Sequence, residues 1–332
     1  MAIVFPGFVL AYVAAAREHI RIQPKFRPGD TLYYQIEMQT VSMGKTTTPI
    51  INPEGGTKFS EKIDLLVRLD ALPGKGASMD LRKPSQAAEA VPVRMRVTYL
   101  RAHADSQSDA PAFDAASAGS EYDRLEGHSF EFTLEPGGGV ADFKDVDHIL
   151  PNSLDAAQAL SWMKTLASGS EFPRRGIAVG QKWSSRKPLS GVPLTGLVWR
   201  AESTYLRNQA CASPPATARA SNKPSDSAGQ CAVILTQFQI VRQSSKHSDE
   251  TPPDYLRHGL RTSGSVTGSG ESLDSISLAT GLLASSTQSS TQHADFDIIS
   301  AANGEAIHRV GEVQTETMIK QVSAPSAATP RP

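Results

Sequence analysis

Apolar and polar residues alternate with a period of two along most of this chain. The clearest runs are 62–70 and 312–320, where apolar residues or threonines occupy every second position and mostly charged or amide residues lie between them. Neighbouring side chains of a β-strand point to opposite faces, so this period indicates strands of a sheet with one buried and one solvated face. Shorter runs with the same period occur at 32–39, 91–99, 130–134, 197–205 and 234–240.

The C-terminal part of the chain, 264–322, predicts three long antiparallel strands joined by two tight turns. Ala279-Thr280-Gly281 forms the first turn and Asn303-Gly304 the second. Asn-Gly is typical of a type I′ hairpin, which needs a positive φ at both central residues. Gly268 and Gly270 lie inside the first strand, where we expect them to allow a bulge or tight curvature. The other strands of the chain are predicted to join the same sheet.

One segment, 152–169, has apolar residues at helical spacing and ends at a glycine. Counting the other runs gives about nine or ten strands without strand-helix-strand alternation, which excludes a parallel doubly wound sheet. The predicted fold class is therefore mainly β (α+β), a large curved antiparallel sheet or half-barrel packed on one main helix. A two-sheet sandwich is the alternative.

The same patterns predict the domain organisation. Residues 1–22 form a signal-like or apolar N-terminal segment, and 23–322 form a single antiparallel β-rich domain or two intimately paired halves. Polar stretches at 103–120, 207–231 and 243–254 are predicted to be flexible insertions, and 323–332 a disordered tail.

Composition limits the partners. The chain has 332 residues, with 33 Lys and Arg against 34 Asp and Glu, which gives a formal net charge of −1. Without a basic surplus, no global field attracts nucleic acid or an anionic membrane. We therefore expect no nucleic-acid partner.

The N-terminus predicts export from a bacterial cell. Residues 2–16 are apolar, a length that suits the core of a signal peptide better than a membrane span, and Ala14-Ala15-Ala16 provides small residues for cleavage. A basic stretch before the apolar run is missing, which indicates either that the true start codon lies further upstream or that the segment is buried. Export would leave a periplasmic or extracellular protein without a stable transmembrane segment in its mature chain.

The two cysteines, Cys211 and Cys231, border a loop rich in Pro, Ser and Ala. A disulfide between them would close the base of that loop, and closing ~20 residues stabilises a fold by about 3 kcal/mol in the chain-entropy model. Two free thiols are the alternative. Two cysteines without a nearby histidine are too few ligands for structural zinc.

Motifs that carry chemistry are missing from the sequence. None of the eight histidines has the spacing of a zincin motif, and no Gly-x-Ser-x-Gly nucleophile elbow occurs. Gly268-Ser269-Gly270-Glu271 resembles a phosphate-binding loop only superficially, because no lysine follows it. We predict no catalytic residue, no cofactor and no metal site.

Large apolar and aromatic side chains on the predicted strands and helix would either fill a core or line an apolar cavity inside the curved sheet. The candidates for lining such a pocket are Tyr34, Val67, Met95, Phe132, Trp162, Met163, Trp199 and Tyr205.

Three blocks of the sequence resemble uncharacterised secreted bacterial β-rich proteins. They are FRPGDTLYY (26–34), GQKW (180–183) and the spaced segments GSG, LD, TGLL and SS within 268–286. Leu273 stands where those proteins often have an aromatic residue. The predicted half-barrel with a helix is distantly similar to periplasmic lipoprotein carriers, although the lipid-attachment cysteine of a lipoprotein is missing. The resemblance implies a secreted, strand-rich fold and identifies no functional residue.

These observations favour a non-enzymatic exported envelope protein that binds an apolar ligand, such as a lipid, or an envelope component in a curved β-sheet. A structural or protein-interaction module with a filled core is the alternative. A hydrolase whose site assembles only in three dimensions is the third hypothesis.

Overall fold

Eleven β-strands form one antiparallel sheet in the computed structural model of the protein. The structure describes residues 19–23, 25–26, 29–48, 56–72, 92–110, 122–135, 140–144, 172–173, 175–189, 192–211, 229–243 and 251–325. The strands are β1 (Thr31–Thr47), β2 (Thr57–Ala71), β3 (Val93–Ser108), β4 (Ser129–Leu134), β5 (Val140–Lys144), β6 (Lys182–Pro188), β7 (Leu197–Ala210), β8 (Gln230–Arg242), β9 (Leu260–Ser277), β10 (Leu283–Ser300) and β11 (Ala306–Val322).

The strand order is β5-β4-β3-β2-β1-β11-β10-β9-β8-β7-β6, and the sheet is not closed. Strands that follow each other in sequence pair with each other, except β5 and β6, which form the two edges. The first and last strands pair along almost their full length, from Tyr33 with Val322 to Thr47 with His308. The prediction that strands from both ends of the chain share one sheet is confirmed.

Alternation along the strands produces two different faces. Paired residues of neighbouring antiparallel strands lie on the same face, so one transverse row carries Ile36, Leu65 and Ile319, all fully buried. We call this side of the sheet the core face. The opposite side, the outer face, carries residues such as Glu37 and Met318, which pair with each other.

A main hydrophobic cluster covers one end of the core face. It contains buried side chains from β1, β2, β3, β4, β7, β8, β9, β10 and β11, so strands that are far apart in the sheet contribute to one core. Such convergence requires the sheet to curve round this end. A second, smaller cluster at the other end consists of Leu194, Leu197, Ile240, Val266 and Phe296.

Gly268 and Gly270 have a different role from the predicted bulge. Their pairing with β10 continues in regular register, and the irregularity of this hairpin lies between Leu283 and Ser285. A Cβ atom at Gly270 would lie 2.5 Å from the ring of Phe238, and one at Gly268 would lie 3.0 Å from Ile240. The glycines therefore leave room for large side chains that reach across from β8.

The turn between β10 and β11 is not a type I′ hairpin. Gly304 has a φ of +71°, but Asn303 does not have a positive φ. Ser300 donates its N–H to the carbonyl of Glu305, and Gly304 donates to the carbonyl of Ser300. The Asn303 side chain accepts a hydrogen bond from the N–H of Glu305 at 3.1 Å. A longer loop stabilised by the asparagine side chain replaces the predicted two-residue turn.

Two predicted insertions are shorter than expected. Residues 103–108, placed in the insertion 103–120, continue β3 and pair with β2 up to Phe59. Ala102, Ala104 and Ser106 are buried there, and alternating small residues were too weakly apolar to indicate a strand. Both ends of the predicted insertion 207–231 also belong to strands, because β7 extends to Ala210 and β8 begins at Gln230.

Helix is minimal in the part of the chain that the structure describes, where α1 (Pro253–Arg257) is five residues long and buries no side chain. The predicted helix 152–169 lies outside the described residues. The observed fold is mainly β, and a main helix packed on the sheet stays a prediction.

Candidate functional site

Five of the eight residues predicted to line a pocket lie in the main hydrophobic cluster. They are Tyr34, Val67, Met95, Phe132 and Tyr205, and none is more than 3% exposed. The structure therefore brings them together, and their role in lining a pocket stays a prediction.

Tyr34 is the polar member of this set. Its hydroxyl donates a hydrogen bond of 2.9 Å to the carbonyl of Leu283, and burial raises the pKa of the phenol well above its usual range. The side chain thus stays neutral and links β1 to β10 across the interior of the curved sheet.

Of the other three candidates, the structure describes Trp199. Trp199 is half-buried beside the second cluster, with its ring edge-on to Phe238 at a centroid distance of 5.3 Å. Trp162 and Met163 lie outside the described residues.

The described residues form depressions on the outer face, and three of them lie along the central strands. The first, of about 440 Å³, includes Leu235, Leu273, Thr287 and Met318. Register places these four side chains in one transverse row across β8, β9, β10 and β11. Leu273 is 43% exposed and Met318 45%, so this row is an exposed apolar strip on the outer face. We call it the apolar row.

A carboxylate row lies directly beside the apolar row. Glu271 pairs with Ser289, which pairs with Glu316. Both the first depression and a second one of about 600 Å³ include these three residues. At the far side of the second depression, Glu202 forms an ion pair with Arg200 at 3.0 Å.

The third depression, of about 680 Å³, continues the groove along the strands. Met43 and Val310 are exposed on its floor, and His293 faces Glu312 at 3.1 Å. Since its residues follow those of the second depression at intervals of two on the same strands, the three depressions lie in one line along the outer face. The groove is thus mixed, with apolar residues near both ends and polar residues between them.

The sequence pattern predicted part of this site. Glu312, Gln314 and Glu316 were predicted to be on the solvated face, where Gln314 and Glu316 are exposed and Glu312 is half-buried. The apolar row was missed. Leu273 and Met318 at solvated positions were the available signal, but only the register shows that they lie in the same row.

The predicted disulfide between Cys211 and Cys231 is present, with a sulfur–sulfur distance of 2.06 Å. Among the described residues, no group of three or more His, Cys, Asp or Glu side chains is arranged to hold a metal ion. No helix in the described ranges is long and apolar enough to cross a membrane.

No protein-family model matches the chain, and no curated protein sequence matches it. Among solved structures, the chain is similar to a lipovitellin structure concerned with lipid–protein interactions, with 11% identity and a TM-score of 0.44. That similarity covers 92% of this chain and 26% of lipovitellin, so the chain spans about a quarter of it. It is also similar to the outer membrane protein OprG from Pseudomonas aeruginosa, with 7% identity and a TM-score of 0.18, over 92% of this chain and 100% of OprG. At these identities and TM-scores, neither similarity establishes a common fold or function.

Proposed function

We propose that this chain is a non-enzymatic, exported protein of the bacterial envelope that binds an apolar ligand, such as a lipid, on its curved sheet. The observation that supports it is the apolar row, where Leu273 and Met318 are nearly half exposed at the floor of a depression of about 440 Å³. Small-molecule pockets occupy roughly 300–1,000 Å³. The disulfide supports export, because disulfides persist mainly in oxidising compartments.

Burial of exposed apolar surface would drive binding. Fully burying a Leu or Met side chain stabilises a complex by about 1.5–3 kcal/mol, and half of that remains available at each of the two residues. Together they would contribute about 2 kcal/mol, which is more than a tenfold change in affinity.

Titration with N-phenyl-1-naphthylamine, an uncharged apolar dye that fluoresces when bound, tests this proposal. We expect the double variant Leu273→Ser/Met318→Ser to bind the dye about tenfold more weakly than the unaltered protein. Val313→Ser is the matched control, because Val313 is 37% exposed but lies on the core face of the same strand as Met318. Equal losses in both variants, or no dye binding by the unaltered protein, would overturn the proposal.

A structural or protein-interaction module of the envelope is the second candidate. The complete burial of Tyr34, Val67, Met95 and Tyr205 favours it, because side chains that fill a core leave no room for a ligand there. A hydrolase is the third candidate and would require ionisable groups that converge in a cleft. Native mass spectrometry of the exported protein separates the first two candidates, since a co-purifying lipid supports binding and a co-purifying envelope protein supports the module.

A further inference from the structure

We propose that the ligand of the outer-face groove is a cationic amphiphile, whose chain contacts the apolar row and whose positive head group lies between Glu271 and Glu316. This inference rests on the proposed function and adds the charge of the ligand to it.

The two rows have the spacing of a small amphiphile. Leu273 lies two residues from Glu271 on β9, and Met318 two residues from Glu316 on β11. Two residues along a strand span about 7 Å, and side chains at this interval point to the same face. The apolar contact and the carboxylates are therefore separated by about the distance between a head group and the first carbons of its chain.

The carboxylates flank an open position. Glu271 and Glu316 belong to strands that are both neighbours of β10, so their Cα atoms are about 10 Å apart at a strand spacing near 4.8 Å. Between them lies Ser289, a small and exposed residue. The space above the serine is open to a compact head group, which both glutamates could contact.

The charge at this position is not neutralised by the protein. Both glutamates are exposed, and within the described ranges neither forms an ion pair. Their outer neighbours in the row are the amides Gln237 and Gln39, which form hydrogen bonds without cancelling charge.

The surrounding depression is also acidic. Glu37, Glu271 and Glu316 line it together with a single base, Lys62, although the whole chain carries a net charge of only −1. An anionic head group would be repelled at this position and an ammonium group attracted. The groove therefore selects by charge as well as by apolar contact.

Displacement of N-phenyl-1-naphthylamine by two detergents with the same dodecyl chain tests the inference. Dodecyltrimethylammonium is cationic and dodecyl maltoside uncharged, and each is used below its critical micelle concentration. We expect the unaltered protein to bind the cation at least tenfold more tightly, and the preference to decrease at high salt because the site is exposed. Tetramethylammonium, which lacks the chain, is expected not to displace the dye.

The variant Glu271→Gln/Glu316→Gln keeps the size of both side chains and removes their charge. It should bind the two detergents within about twofold of each other, with the affinity for dodecyl maltoside unchanged. Glu305→Gln is the control, since Glu305 is exposed in the turn between β10 and β11, away from the groove.

The outcomes separate the two proposals. If dodecyl maltoside displaces the dye but the unaltered protein shows no preference for the cation, the charge inference fails and the proposed function stands. A preference that persists in the double glutamine variant also overturns the inference. If neither detergent nor dye binds, the proposed function itself fails.

Discussion

Tyr34 illustrates how single residues stabilise this sheet. Its ring lies in the main cluster with no exposed surface, and its hydroxyl reaches the carbonyl of Leu283 near the start of β10. β11 separates β1 from β10 in the sheet, so this hydrogen bond spans strands that are not neighbours. A buried hydroxyl is tolerated in an apolar core because its partner is fixed by the backbone.

Replacing Tyr34 by Phe should lower the free energy of unfolding by about 1 kcal/mol at neutral pH, because the carbonyl of Leu283 loses a buried donor. Chemical denaturation measures this change. The control is Tyr33→Phe, whose side chain is half-buried on the outer face. An equal loss in both variants would contradict the role of the hydrogen bond.

The same substitution should change the alkaline limit of stability. Folding raises the pKa of Tyr34 above the ordinary value of 10.0, so the folded state holds its proton more strongly than the unfolded state. The stabilisation that comes from this difference in pKa is fully present below pH 10 and decreases as the pH rises further. The stability difference between the unaltered protein and Tyr34→Phe should therefore shrink above pH 10. A constant difference up to the alkaline limit would contradict this interpretation.

Glu131 on β4 shows the opposite direction of pKa shift. The hydrogen bond from Arg96, at 2.7 Å, lowers the pKa of this carboxyl most, and the nearby Arg94 lowers it further. The ion pairs with both arginines are partly exposed, so we expect Glu131→Gln to cost about 0.5 kcal/mol at neutral pH. The folded state favours the charged carboxylate. The stabilisation by the ion pairs is therefore present above pH 4.5, the ordinary pKa of a glutamate, and is lost as the pH falls through the lower pKa of the folded state.

Acid denaturation of the two proteins measures that contribution. Their stabilities should differ at pH 7 and converge at low pH. A difference that grows as the pH falls would contradict the sign of the pKa shift.

At the scale of elements, contact between β8 and β9 depends on the two glycines of β9. A Cβ atom at Gly270 would lie 2.3 Å from the carbonyl oxygen of Ser289 in addition to its overlap with Phe238. Both the backbone and a large ring occupy the space. The sequence shows the two glycines, but it does not show why glycine is required at these positions. That requirement comes from the side chains that the neighbouring strand places above them.

Gly270→Ala should therefore destabilise the protein by about 2 kcal/mol through overpacking. Gly44→Ala is the matched control, because a Cβ atom there would meet only the carbonyl oxygen of Val310 at 3.3 Å and the Cα atom of Gly311 at 3.7 Å. Thermal unfolding of both variants measures the difference. Equal stability of the two variants would show that the Phe238 ring moves aside at little cost.

The disulfide acts on the β7–β8 hairpin. It joins residues 20 positions apart at the ends of two paired strands, where the chain-entropy model gives about 3 kcal/mol of stabilisation. The double variant Cys211→Ser/Cys231→Ser should lose about this much stability and keep its strand content in circular dichroism. A variant as stable as the oxidised protein would contradict the contribution.

At the scale of the whole molecule, β11 holds the two halves of the sheet together. It pairs with β1 on one side and β10 on the other, so β1–β5 and β6–β10 share no other described strand pairing. The sheet order is that of a continuous meander whose ends are β5 and β6, with β1 and β11 in its middle. Residues from both halves form the main cluster.

A chain that ends at residue 303 should lose the cooperative unfolding of the full sheet, because both β1 and β10 would expose a long unpaired edge. A chain that ends at residue 325 is the control, since it retains all eleven strands. Size-exclusion chromatography and thermal unfolding compare the two. A soluble, cooperatively unfolding chain ending at residue 303 would show that the halves are independent.

The alternation of residues was sufficient to predict most strands and their buried faces, because side-chain direction along a strand depends on local sequence. The position of the two cysteines at the borders of one loop was sufficient to predict the disulfide. The pairing of the first and last strands, the reason for Gly270 and the alignment of Leu273 with Met318 and of Glu271 with Glu316 were decided only by the tertiary structure. Those relations depend on strand order and on the register between residues that lie far apart in the chain. Alternation with a period of two does not determine the register, because any shift by two residues leaves the same side chains on the same face.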